Sequence, residues 1–218
     1  MAIFTDDHRT TSAPGEPEEA APVTRRPGFV LGAVGLALAA LLAVLGAVMR
    51  SNADFAHGEV TRQLAAQRIT FKPLDTLTDQ ERQVPCLVAN AGKPLTTGKQ
   101  AQCYADHFIG AHLRTLAGGR TFAEMREVQN ALRARVADAQ ARNDPSAADL
   151  QRQLDEANRQ RQSLFEGESN RGLLLTSYGF ATLGTKADQA ANAAYAAAVV
   201  LLLGGGITLL RAWRPTSG

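Results

Sequence analysis

The sequence is poor in cysteine and lysine, with two and four of them among 218 residues, and two stretches carry no charge at all. These uncharged stretches cover residues 29–49 and 189–210, and each consists almost entirely of apolar and small residues. At about 1.5 Å of rise per residue, a helix of that length crosses the roughly 30 Å hydrocarbon core of a bilayer. The sequence therefore predicts a double-pass membrane protein with transmembrane helices over residues 28–49 and 189–210.

The two predicted spans enclose one domain, residues 50–188, and leave a tail on each side. The longer tail, residues 1–27, is polar and rich in proline, threonine and glutamate, and it has too little apolar surface to offset its ordering entropy. We predict disorder there and a short second tail over residues 211–218. Clustered positive charge is missing from the domain, which has 18 Lys and Arg against 16 Asp and Glu. This balance argues against a nucleic-acid surface.

Positive charge in the flanking segments sets the predicted orientation. Arg25 and Arg26 precede the first stretch, and Arg211 and Arg214 follow the second, although Arg50 opposes them. Positive residues in short segments stay on the cytoplasmic side, whereas long loops cross largely regardless of charge. We expect both termini in the cytoplasm and the domain outside the cytoplasmic membrane. The first stretch is longer than the apolar region of a cleaved signal peptide, about 7–15 residues, so it is predicted to be an uncleaved signal anchor.

The only two cysteines, Cys86 and Cys103, both lie in the predicted outside domain. In an oxidising compartment, a lone pair at this spacing is most simply a disulfide. Closing a loop of that size stabilises a fold by about 3 kcal/mol in the chain-entropy model. The predicted disulfide and the predicted topology support each other.

Helix signals dominate the domain, so the predicted fold class is all-α. Thr97 with Gln100, and Thr121 with Glu124, form capping-box patterns that open helices. Apolar residues then recur every three or four positions on both sides of a break at residues 143–145, which predicts an antiparallel helical hairpin of coiled-coil type over about 121–166. A further uncharged run predicts an apolar juxtamembrane helix over about 171–185. Three placements of this helix stay open: buried in the domain, lying in the membrane interface, or continuous with the second span.

Catalytic motifs are missing from the sequence, including nucleophile elbows, Walker loops, dinucleotide-binding glycine patterns and HExxH. Cys103 and His107 lie four residues apart, as a nucleophile and its base would on one side of a helix, but a disulfide to Cys86 consumes the thiol. His107 and His112 are five residues apart and point about 140° away from each other, which does not suit a zinc pair. We predict a protein that is not an enzyme and has no catalytic residue, cofactor or metal.

Ionisable residues are also missing from both spans, whereas proton relays and ion pathways usually place such groups at depth. Small residues recur in the spans at four-residue spacing, which lets helices approach closely in lipid. The predicted packing positions are Gly28, Gly32, Ala39, Ala43, Ala47, Ala190, Ala194 and Ala198. The spans are therefore expected to serve as anchors and packing surfaces.

Three segments of the sequence, residues 69–71, 100–109 and 171–180, taken with the two-span layout, resemble a family of uncharacterised actinobacterial double-pass membrane proteins. The preference for arginine over lysine, 19 to 4, and the many alanines agree with a high-GC origin. The resemblance implies a cytoplasmic-membrane protein with a helical outside domain. It implies no activity, catalytic residue or cofactor.

These features predict a membrane-anchored, non-enzymatic interaction module or an accessory subunit of a membrane complex. The expected partners are the lipid bilayer and either another membrane protein or a second copy of the chain. The candidate partner surface consists of apolar residues in the juxtamembrane run: Leu173, Leu174, Leu175, Tyr178 and Phe180. Two other classes stay open, a homo-oligomeric channel or transport component and an extracytoplasmic hydrolase or redox enzyme centred on Cys103 and His107.

Overall fold

The computed structural model describes residues 26–213, and every regular element in that range is helical. The α-helices are α1 (Arg26–Ala66), α2 (Asp79–Arg82), α3 (Pro85–Asn90), α4 (Gly98–Cys103), α5 (Gly110–Thr115), α6 (Met125–Ala141) and α7 (Ala147–Trp213). The predicted all-α class is therefore confirmed for the described part of the chain. The predicted tail over residues 1–27 lies outside the described residues except for Arg26 and Pro27, which begin α1. The last five residues of the predicted tail over 211–218 also lie outside them.

Two of these helices, α1 and α7, are long and apolar enough to cross a membrane. They run antiparallel, because the start of α1 meets the end of α7: a Cβ added to Gly28 would lie 3.8 Å from the Cβ of Ala212. Farther along α1, His57 and Ala56 lie against Gly184. Both helices extend well beyond the uncharged stretches, so the same helix pair continues into the rest of the fold.

Helix α7 is continuous over 67 residues, about 100 Å at the usual rise. The sequence left open whether the predicted juxtamembrane helix over about 171–185 is continuous with the second span, and the structure joins it both to that span and to the helix before it. No proline occurs between Pro145 and Pro215, and an interior glycine costs a helix only about 1 kcal/mol. Gly167 even helps packing, since a Cβ there would come within 2.5 Å of the Leu113 side chain.

Short helices fill the segment between α1 and α6. The chain leaves α1 through a positive φ at Arg68 and forms an isolated antiparallel bridge between Thr70 and Pro94. Residues 74–94 contain α2 and α3. The predicted capping box of Thr97 and Gln100 opens α4. A π-helical turn, Tyr104–Ile109, then connects α4 to α5.

Two hydrophobic clusters hold these elements together. The first joins the C-terminal part of α1 to α4 and α7, and its buried members are Val60, Leu64, Phe71, Leu87, Leu95, Ala101, Cys103, Ala105 and Leu174. The second lies between α5, α6 and the first part of α7, and its buried members are Leu113, Met125, Leu132, Val136, Ala139, Leu150, Leu154, Ala157 and Leu164. The short helices are thus attached to α7 along much of its N-terminal half.

Candidate partner-binding surface

Helices α1 and α7 meet along a seam of small residues that repeats every seven positions. On α1 the buried residues are Gly32, Ala39, Gly46 and Ala53, and on α7 they are Gly184, Ala191, Ala198 and Gly205. The backbones approach closely, since a Cβ added to Gly205 would lie 3.0 Å from the carbonyl oxygen of Gly32. A seven-residue repeat keeps one face of each helix toward its partner over many turns.

The packing positions predicted from four-residue spacing divide into three groups. Gly32, Ala39 and Ala198 are buried in the seam. Gly28, Ala43, Ala190 and Ala194 are half-buried at its edges. Ala47 is exposed. A strict four-residue step drifts around the helix, because two turns of a paired helix take about seven residues, and this drift carries Ala47 away from α7.

Charged side chains mark one side of the helix pair where the uncharged stretches end. Arg50 Nη1 donates a hydrogen bond of 3.1 Å to Asp188 Oδ1, and Arg50 Nε lies 3.7 Å from Asp54 Oδ1. His57 Nε2 lies 4.0 Å from the other carboxylate oxygen of Asp188. This side of the pair is therefore polar from the first turn beyond the uncharged stretches.

The other side of the pair is apolar at the same level. Phe55 on α1 and Phe180 and Leu183 on α7 line a groove of about 460 Å³ between the two helices. Their exposed fractions are 69%, 57% and 66%, although all three are large apolar side chains. We call this feature the apolar groove. Exposed apolar side chains that form a continuous patch mark interaction sites far more often than isolated ones do.

Polar groups at the rim of the apolar groove have partners of their own. Glu59 accepts hydrogen bonds from Gln63, at 2.7 Å, and from Arg62, and these bonds hold the pKa of its carboxyl below its usual range. Thr176 Oγ1 donates to the carbonyl oxygen of Gly172 at 2.9 Å. The groove can therefore receive an apolar surface without leaving these groups unpaired.

The five residues of the predicted partner surface do not form one surface. Leu174 is 2% exposed and belongs to the first hydrophobic cluster, and Leu175 packs against that cluster. Tyr178 is half-buried, and its backbone lies beside Gly98 of α4. Only Leu173 and Phe180 are exposed. Successive residues on a helix point about 100° apart, so an apolar run on a helix covered on one side must be divided between core and surface.

A second concavity lies between the short helices and α7. It is a cleft of about 760 Å³, and the π-helical turn contributes His107 and Phe108 to its wall. Lys72 lies at one edge of the cleft, with its Nζ 2.9 Å from Glu81 Oε1 and 5.0 Å from the centre of the Phe108 ring. Arg171 of α7 stabilises the π-helical turn by donating a hydrogen bond of 3.1 Å to Asp106 Oδ1. These contacts give the π-helical turn a packing role in the fold.

The structure places Cys86 and Cys103 in a disulfide, with Cα atoms 6.1 Å apart, as the sequence predicted. The Cys103 sulfur is therefore bonded, and no thiolate stands beside His107 for nucleophilic chemistry. Within residues 26–213, no three histidine, cysteine or acidic residues come together as a metal site would require. His107 itself is exposed.

Sequence reasoning missed two contributors to the apolar groove, Phe55 and Leu183. Leu183 becomes visible when the sequence is read with a period of seven, because it then shares a stripe with Leu173 and Phe180, whereas Phe55 lies on α1 outside that stripe. The π-helical turn had no such signal. Comparison with models of protein families, with curated proteins and with solved structures found no match to this chain.

Proposed function

We propose that this chain is a membrane-anchored, non-enzymatic interaction module, or an accessory subunit of a membrane complex. The observation that supports it best is the apolar groove, where Phe55, Phe180 and Leu183 stay exposed beside the anchoring helices. Water is an unfavourable environment for such a patch, and burying it against a second protein yields roughly 25 cal/mol per Å² of apolar area.

In this proposal, α1 and α7 cross the cytoplasmic membrane with both termini in the cytoplasm and residues 50–188 outside. The arginines that flank the uncharged stretches support this orientation. The disulfide between Cys86 and Cys103 supports it independently, because disulfides persist mainly in oxidising compartments. Impermeant maleimide labelling of intact cells tests it: Gln140→Cys should react and Ser12→Cys should not. Labelling at Ser12→Cys would contradict the proposed orientation and place the N-terminus outside the cytoplasm.

The outside part of the proposed module is a helical hairpin held above the anchor. Its arms are α6 and the first part of α7, and Gln129 Nε2 joins them by donating to Asn158 Oδ1 at 2.7 Å. Because α7 continues without a break from the hairpin into the apolar stretch, the hairpin is rigidly connected to the anchor. A rigid connection suits a subunit that must hold its binding surface at a fixed height above the bilayer.

Purification of the tagged chain from native membranes in a mild detergent tests the interaction. We expect it to recover a stoichiometric companion, either another chain or a further copy. Phe180→Ser with Leu183→Ser should lose that companion. Leu203→Ser is the matched control, because Leu203 is 63% exposed on a different face of α7. A folded, disulfide-bonded monomer without any companion would refute the proposal.

A further inference from the structure

Three arginines line a small cavity between α7 and the loop that follows α5. They are Arg114 of α5, Arg120 of the loop and Arg171 of α7, and the cavity has a volume of about 170 Å³. Glu168 contributes a carboxylate to the wall. We call this feature the arginine pocket. Like charges around one small volume repel one another, so the arrangement favours an anion among them.

Two of the guanidiniums come close together beside the buried Gly110 of α5. The position of a Cβ added to Gly110 lies 3.4 Å from Arg171 Nε and 3.6 Å from Arg114 Nη1, so the two nitrogens are separated by at most the sum of these distances, about 7 Å. Positive charges at this separation attract an anion and repel a cation.

Acidic residues satisfy only part of the hydrogen-bonding capacity of Arg171. Its Nη2 donates to Asp106 Oδ1 at 3.1 Å, and its Nη1 lies 3.6 Å from Glu168 Oε2. The third nitrogen, Nε, is buried and has no acceptor among residues 26–213. A buried donor without an acceptor costs free energy, which an oxygen ligand on this side of Arg171 would remove.

The other two guanidiniums of the arginine pocket are less occupied. Within the described residues, neither Arg114 nor Arg120 forms an ion pair. Arg120 Nη1 donates to the carbonyl oxygen of Ala117 at 3.3 Å, while the neighbouring Glu124 accepts a bond of 2.7 Å from the backbone of Thr121. Both arginines are exposed, so an anion can reach them from solution.

We infer that the arginine pocket binds a phosphate group, either free phosphate or the monoester of a small organic molecule. A guanidinium donates two parallel hydrogen bonds to phosphate oxygens, and arginines from three elements suit a tetrahedral group better than a planar carboxylate. The organic part of a monoester also has room, because Leu113 and Arg114 line the neighbouring cleft of about 760 Å³ as well.

A lipid of the same membrane cannot supply this phosphate if the chain is placed as proposed. Arg171 lies seventeen residues before Asp188, which is about 25 Å along α7. The headgroup layer of a bilayer is only about 5–8 Å thick on each side. The ligand is therefore a soluble phosphate compound. The arginine pocket shares no lining residue with the apolar groove, so the two sites are separate.

Isothermal titration of the full chain in detergent, in a buffer free of phosphate and sulfate, tests the site. We expect saturable binding of inorganic phosphate or phenyl phosphate in the millimolar range or tighter. Tighter binding of phenyl phosphate identifies a monoester ligand, and tighter binding of inorganic phosphate identifies free phosphate. Benzoate has the same ring with a carboxylate, and it should bind about tenfold more weakly than phenyl phosphate, since it offers fewer oxygens and less charge. Failure of both phosphates to saturate the protein, or equal affinities for phenyl phosphate and benzoate, would overturn the inference.

Substitution of the two exposed arginines tests the location. Arg114→Gln with Arg120→Gln should weaken binding of the tighter phosphate ligand by about tenfold or more, because charge-assisted hydrogen bonds are lost. The matched control is Arg133→Gln with Arg135→Gln, which removes the same charge from the exposed side of α6 and should leave the affinity unchanged. Equal losses in the two double variants would assign binding to overall charge and overturn the inference.

Hydrogen exchange of the same proteins gives a second measurement. We expect the phosphate ligand to slow amide exchange over residues 116–121, which form the loop beside the arginine pocket. The Arg114→Gln, Arg120→Gln double variant should lose this protection while it keeps its disulfide and its helical circular dichroism. Unchanged exchange in the loop of the saturated wild-type chain would contradict the inference.

Discussion

The guanidinium of Arg50 donates a hydrogen bond of 3.1 Å to the carboxylate of Asp188, and the two residues are 138 positions apart in the sequence. Arg50 and Asp188 join α1 to α7 on the polar side of the helix pair, at the level where both uncharged stretches end. The bond joins the two helices at this boundary. It also faces away from the apolar groove, so the helix pair has one polar and one apolar side at this level.

We expect the Arg50–Asp188 bond to contribute modestly to stability. The side chains are 50% and 30% exposed, and ion pairs of that kind are worth about 0.2–1 kcal/mol. A double-mutant cycle of Arg50→Ala and Asp188→Ala, measured by thermal unfolding in detergent, should give a coupling in that range. Replacing Asp54, which is 3.7 Å from Arg50, should give a smaller coupling. A coupling of several kcal/mol would contradict this assignment.

Gly205 and Gly204 should respond in opposite ways to the same substitution. A Cβ at Gly205 would lie 3.0 Å from the carbonyl oxygen of Gly32, whereas a Cβ at Gly204 would meet open space. Overpacking of this kind costs about 1–3 kcal/mol. We expect Gly205→Val to lower the Tm in detergent by several degrees and Gly204→Val to leave it unchanged or raise it. Equal effects of the two substitutions would argue against the seam.

Removing the disulfide should destabilise the segment of short helices between α1 and α6. The loop closed by Cys86 and Cys103 spans 17 positions, for which the chain-entropy model gives about 3 kcal/mol. We expect Cys86→Ala with Cys103→Ala to lower the Tm by about 6–12 °C, since 1 kcal/mol corresponds to about 2–4 °C in a chain of this size. Wild-type protein treated with a reductant is the control and should show a similar loss. A double variant as stable as the wild type would contradict the stabilising role.

The sequence was sufficient for features that depend on composition and local pattern. The absence of charge over 29–49 and 189–210 predicted the two long apolar helices, and Cys86 and Cys103, the only pair available, predicted the disulfide. The capping box at Thr97 is also present. The capping box depends on residues within one helical turn, the disulfide on the number of cysteines, and the long apolar helices on the local absence of charge.

Features that depend on which faces meet were harder to predict. Alanine is so common here that a four-residue spacing fits many positions, and it selected Ala47, which is exposed, while missing Gly46, which is buried. Leu174 was grouped with its exposed neighbour Leu173, because the elements that cover one side of α7 come from distant parts of the sequence. The π-helical turn depends on the same long-range packing.

Gln129 should prove to be the polar residue that fixes how α6 packs on α7. It is 4% exposed, and its bond to Asn158 is 2.7 Å long. Gln129→Ala removes this hydrogen bond, which is worth about 0.5–1.5 kcal/mol, because the exposed Asn158 amide can bond to water instead. We expect a Tm loss of about 1–6 °C from that stability range. Gln140→Ala, on the exposed side of α6, should have little effect, and a comparable loss there would refute a specific role for Gln129.

The last prediction concerns pH and the carboxyl of Glu81. Burial opposes its ionisation, but hydrogen bonds from the Thr78 backbone and the Lys72 ammonium outweigh that effect and hold its pKa below the usual 4.5. A lowered folded-state pKa means that Glu81 stabilises the fold fully above about pH 4.5 and loses this contribution as the pH falls through the folded-state pKa.

Glu81→Gln should therefore lower the Tm by a few degrees at pH 7, because a lost hydrogen bond of this kind is worth about 1 kcal/mol. The difference from the wild type should shrink toward zero as the pH falls through the lowered folded-state pKa and the wild-type carboxyl becomes protonated. Glu127→Gln, an exposed position on α6, is the control for a change of charge alone. A difference that persists unchanged at low pH would mean that the charge of Glu81, and with it the bond to Lys72, does not provide the stabilisation.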